Sequence, residues 1–82
     1  MEAYNTDNVA ADLARIEAEI LPHYAERLAA GSILRYEIRS GYLNMNRFWA
    51  AVEYDIPELD QITAHYTILI REGRIEFQNN PL

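Results

Sequence analysis

The 82-residue sequence has no cysteine, no lysine, only three glycines and two histidines, and no long apolar run. Each shortage removes a class of protein. Without cysteine there is no disulfide, the usual staple of small secreted domains, and no thiolate to act as nucleophile or metal ligand. The glycines at 31, 41 and 73 are isolated, so no glycine-rich loop is available to cradle a phosphate. No stretch approaches the roughly 20 apolar residues that cross a bilayer. The opening residues MEAYNTDN are polar and acidic, without the basic start and apolar run of a secretion signal. A cytoplasmic protein is the expectation.

Charge is one-sided. Seven arginines face thirteen acidic residues, for a formal net charge of −6. That balance disfavours nucleic-acid phosphates and anionic membrane surfaces, and it suits a basic protein partner. Arginine as the sole basic side chain also fits bidentate contacts with carboxylates. Half the residues are apolar, enough for a globular core. A chain of this size has room for one domain, 1–82. It buries only about 60–65% of its unfolded surface, so extra burial against a partner or a second copy would help it.

Residues 7–30 carry the helical period. Val9, Leu13, Ile16, Ile20, Tyr24 and Leu28 recur at spacings of three and four and share one face, with Asp12, Arg15, Ala18, Glu19 and Glu26 off it. Thr6 and Asp7 are candidate N-caps, and Gly31 fits the left-handed stop. Pro22 interrupts the pattern. A proline there removes one backbone hydrogen bond and meets the carbonyl of Ala18, on the side away from the apolar stripe. One helix kinked at Pro22 is expected, with two helices meeting at Leu21-Pro22 as the alternative.

After Gly31 the period becomes two. Leu34, Tyr36 and Ile38 alternate with charged residues across 33–39. Phe48, Ala50, Val52 and Tyr54 do so across 47–55, and Ile62, Ala64, Tyr66, Ile68 and Ile70 across 61–71. Ile75 and Phe77 mark a short strand over 74–78. Residues 41–46 read as a connection, 56–60 as a loop with a helical turn at Pro57, Glu72-Gly73 as a tight hairpin, and 79–82 as a frayed tail. These elements make an α+β domain. An N-terminal amphipathic helix packs on one face of a four-stranded antiparallel meander sheet, crossing it over the small residues Ala50 and Ala64. This topology is similar to the cystatin-like fold. No Gln-x-Val-x-Gly stands in the strand connections, so no functional residue carries over.

The sheet face away from the helix carries the main candidate site: Trp49, Arg47, Arg35, Arg39 and His65. A lone tryptophan among arginines on a wet face has the composition of an interface anchor. The alternative is a tryptophan covered by the 41–46 loop through Tyr42 and Leu43. No catalytic, metal or cofactor site is expected. His65 has no serine or cysteine nucleophile in pattern with it. His23 with Glu19 and Glu26 supplies one helix where a metal bundle needs several. The carboxylates of 55–60 lack the ligand number of a calcium loop. Tyr24, Tyr36, Tyr54 and Tyr66 face inward, either as core margin or as the lining of a small-ligand pocket. The leading expectation is a non-enzymatic protein-binding regulator or inhibitor of the antitoxin, immunity or phage-antagonist type. Homodimerisation through sheet faces or edges, and ligand binding among the tyrosines, are the alternatives.

Overall fold

A computed structural model of the chain describes residues 4–78. The tail read at 79–82 lies outside the described residues. Thr6–Asn8 form a short 3₁₀ turn, in which the Asn5 side chain accepts the backbone N–H of Asp7. Helix α1 follows as Val9–Ala30, and Gly31 closes it with its N–H on the Leu28 carbonyl. Strands β1 (Arg35–Asn44), β2 (Arg47–Ile56), β3 (Leu59–Arg71) and β4 (Arg74–Phe77) lie side by side in chain order, each antiparallel to the next. The α+β architecture of a helix on a four-stranded antiparallel meander is the fold of this chain.

The helix is one element through Pro22, not two helices. Pro22 is exposed, which leaves the interrupted bond on the solvent side. Ile16, Ile20 and Tyr24 are buried against Phe48, Ala50 and Val52 of β2 and Tyr66, Ile68 and Ile70 of β3. Each large apolar side chain so buried contributes on the order of 1.5–3 kcal/mol. The helix axis lies nearest β1 and then β2. Ala50 is therefore buried beneath it. Ala64, expected under the same crossing, is only partly buried at the core's margin.

The strands run further than the alternation was read. Two adjustments account for the difference. β1 continues through Ser40, Gly41 and Tyr42 to Asn44, so the connection expected over 41–46 shrinks to Met45-Asn46. Asn46 fixes that turn to β3, giving its side-chain amide to the Ile70 carbonyl at 3.0 Å and accepting the Ile70 N–H at 3.0 Å. The 56–60 loop likewise holds no helical turn. Ile56 pairs with Leu59 around Pro57-Glu58, and the register shifts just beyond. Gln61 takes a left-handed conformation there, φ 56°, with its N–H on Asp55 Oδ1 at 2.7 Å. The hairpin at Glu72-Gly73 is as expected, both residues having positive φ as a two-residue turn requires.

Asp12, read as lying off the apolar stripe, is buried. It accepts the Tyr4 hydroxyl on one oxygen and pairs with Arg15 on the other at 3.0 Å. Arg15 passes the tie on, donating to the Gly73 carbonyl at 2.7 Å. The buried hydroxyls of Tyr24 and Tyr66 meet at 2.6 Å, joining helix to β3 through the core. Burial first, then the bond to Tyr24, pushes the Tyr66 hydroxyl above its ordinary range.

Two substitutions test this packing. Tyr66→Phe leaves the Tyr24 hydroxyl buried without its partner and should cost about 1–3 kcal/mol in urea unfolding. The double variant Tyr24→Phe/Tyr66→Phe should cost less than the sum of the two singles, because it removes both polar groups. Pro22→Ala should raise stability by about 1–3 kcal/mol, read as a higher Tm, by restoring a donor to the Ala18 carbonyl at an exposed site.

Candidate functional site

Strand pairing sorts the candidate residues into rows across the outer sheet face. Gly41, Trp49 and Thr67 form one row, Arg39, Ala51 and His65 the next, and Glu37, Glu53 and Thr63 a third. Arg47 stands beside Leu69 on the other side of the tryptophan, with Glu76 beyond. Pairing thus gathers Trp49, Arg47, Arg39 and His65 into neighbouring positions, all exposed. Arg35 lies at the far end of the face and is already engaged.

The seat of Trp49 is Gly41. A Cβ placed on Gly41 would stand 2.6 and 2.7 Å from indole carbons Cε2 and Cζ2, closer than real atoms approach. The indole therefore covers the bare backbone of its cross-strand neighbour. This contact holds the ring in place while 38% of Trp49 stays exposed. The cover expected from Tyr42 and Leu43 is not what is found. Tyr42 turns to the helix side, packing on Phe48 at 5.2 Å between centroids and on Tyr4 at 6.0 Å. Leu43 is itself 53% exposed. Leu69, partly buried and paired with Arg47, is the apolar neighbour of Trp49 on the wet face.

The arginines differ in what they have left to offer. Arg35 donates to Glu53 at 2.6 Å and to Asp55 at 2.7 Å. The Gln61 N–H, and then the Arg35 guanidinium, hold the Asp55 carboxyl below its ordinary range. Arg39 reaches only Glu37, at 3.4 Å and well exposed, a contact that contributes little in water. Arg47 forms no ion pair among the described residues.

Charge is divided between the two sides of the molecule. Arg35, Arg39, Arg47, Arg71 and Arg74 belong to the outer face by pairing, against Glu37, Glu53, Asp55 and Glu76, with Glu72 in the turn between Arg71 and Arg74 and Glu58 and Asp60 at the turn joining β2 to β3. The helix side carries Asp7, Asp12, Glu17, Glu19 and Glu26 against Arg15 and Arg27. In the rows next to Trp49 the charged residues are Arg39 and Arg47 against Glu76, so the acidity of the whole chain is not concentrated around the indole.

The remaining candidates stand apart from this face. His23 and Glu26 line a surface groove of about 300 Å³ with Arg27, Ala30 and Ser32. A second groove, about 370 Å³, runs past Arg15, Ala18, Glu19, Pro22 and Ile75. Tyr24, Tyr36, Tyr54 and Tyr66 line neither. Their rings pack on one another instead, Tyr24 lying 5.7 Å from Tyr54 and 6.1 Å from Tyr36. Among the described residues no cluster of three or more His, Asp or Glu side chains could hold a metal ion, and no helix is long and apolar enough to cross a membrane. No protein-family model, curated protein or solved structure matches the chain.

Gly41, which the sequence pattern places in a turn, is instead the seat of the Trp49 indole. The alternation of Leu34, Tyr36 and Ile38 extends through Ser40 to Tyr42, and the turn at 45–46 together with a register shift between Tyr42 and Asn44 sets Gly41 opposite Trp49. Gly41→Ala tests the seat. It should drive the indole off the backbone into water and shift tryptophan emission to longer wavelength, while far-ultraviolet circular dichroism stays unchanged.

Proposed function

We propose that this chain is a small, non-enzymatic protein-binding module that regulates or inhibits its partner through the outer face of the sheet. The observation that carries this reading is the tryptophan held flat on Gly41. An aromatic ring already ordered in the free protein loses little freedom on binding, and such rings are the usual energetic centres of interfaces. Leu69 extends its apolar area, and Arg47 and Arg39 stand at its rim.

The charge of the face refines the partner. A basic partner suits the net charge of the chain but not this surface, where five of the seven arginines gather. A partner presenting carboxylates around an apolar pocket complements it. Arg47 is available for a bidentate contact at the smallest cost, since no internal ion pair must be broken first.

The test is recovery of the partner from extracts of the native host on immobilised protein. The wild type should retain a specific protein that the Trp49→Ala/Arg47→Ala variant loses, with the affinity falling by about a hundredfold or more. Equal recovery by the double variant removes this face from the assignment.

A further inference from the structure

We propose that the chain forms a two-fold symmetric dimer through the free edge of β1, merging two sheets into one with both α1 helices on the same side. The inference is independent of the Trp49 face, and three observations converge on it.

The edge itself is open and long. Among the described residues β1 pairs with β2 alone, leaving the backbone groups of alternate residues along its ten-residue length facing outward. It contains no proline or lysine, which commonly blunt such edges. Beneath the helix that lies nearest to it, β1 is also incompletely covered. Leu34, just before β1, is 59% exposed, and Tyr36, Ile38 and Tyr42 are only partly buried. Phe48, Ala50 and Val52 on the adjoining strand are at 0–1%.

The helix continues this uncovered strip. Glu17 accepts the Ser40 hydroxyl of β1, whereas Arg15 reaches Gly73 at the opposite side of the sheet, so the two flanks of α1 are identified. On the Glu17 flank a helical projection places Ala10, Ala14, Leu21 and Leu28. All four are exposed, Leu21 at 46% and Leu28 at 42%. The small residues at 10 and 14 allow a second helix to approach, and the leucines give it apolar surface to cover.

Charge favours a second copy as the occupant, and charge with strand overlap selects the register. A two-fold axis at Ile38 sets Glu37 of each copy opposite Arg39 of the other, and Arg35 opposite Gly41. Shifting the axis to Glu37 or Arg39 sets a like charge against itself. An axis at Tyr36 also sets Arg35 opposite Glu37, but it overlaps only residues 35–37 of β1, whereas the axis at Ile38 overlaps residues 35–41 and is the register that combines charge complementarity with length. A second copy satisfies the backbone, the half-covered side chains and the charges together. The same symmetry lays the two Trp49 faces on one surface of the joined sheet, which would bind a repeated partner with added avidity.

Sedimentation velocity across micromolar concentrations tests the dimer. The wild type should reach twice the 9.5 kDa mass of the chain. Arg39→Glu, Glu37→Arg and Leu21→Glu, all at sites accessible in the single chain, should each weaken association about tenfold or more. An equimolar mixture of the Arg39→Glu and Glu37→Arg chains should associate again, because each Glu then meets an Arg across the axis. Trp49→Ala should leave the dimer intact, which separates this proposal from that on the outer face. A wild type that stays monomeric overturns it. So does a dimer insensitive to Arg39→Glu and Leu21→Glu, a mixture that fails to associate, or a dimer lost in Trp49→Ala.

Discussion

Ile16, Ile20 and Tyr24 lose nearly all contact with water where α1 meets Phe48, Val52 and Ile68. Neither side of this contact is stable alone. An isolated helix of 22 residues carrying an internal proline is marginal in water, and an open sheet with one bare apolar face is an aggregation template. Their mutual burial is what makes each element worth forming. It also sets the geometry of the rest. With the helix on one face, alternation sends Trp49 and the arginines to the other, and the inward residues of the two edge strands, Tyr36 and Ile38 on β1 and Ile75 and Phe77 on β4, are left partly covered.

The polar groups inside this contact are arranged in chains that end in backbone or solvent. Asp12 is tolerable beneath the helix because Tyr4 and Arg15 occupy its two oxygens, and Arg15 continues to the Gly73 carbonyl. The Tyr24 and Tyr66 hydroxyls satisfy each other. No buried side-chain nitrogen or oxygen among the described residues lacks a partner. The tyrosines thus serve as large apolar bodies whose polar tips are paired, and they fill the space between helix and sheet.

The open side of the molecule has two regions with different chemistry. The outer face has an ordered aromatic ring, apolar neighbours and arginine, and is suited to a partner of complementary shape and charge. The β1 edge has, among the described residues, backbone groups left unpaired by β2, exposed aliphatic residues close by, and the alternating charges of Glu37 and Arg39 about Ile38, and is suited to a copy of itself. Because the two regions lie on different sides of β1, occupation of one leaves the other accessible.

Much of the architecture was legible in the chain itself. The change of hydrophobic period from helical to alternating near Gly31 located one helix and four strands. Parity then assigned Trp49, Arg47, Arg39 and His65 to the wet face. Local periodicity depends only on neighbouring side chains, so it survives without knowledge of the fold. What it could not decide was everything set by pairing between distant residues. Gly41 looks like a turn former until register places it under an indole. Asp12 looks like a surface charge until Tyr4 and Arg15 close around it. The expected crossing at Ala64 moved because the helix settles by total burial, not by the size of one residue. An acidic chain with an arginine-rich face is the same case. Net charge is additive along the sequence, but its distribution depends on which side of the sheet each residue meets.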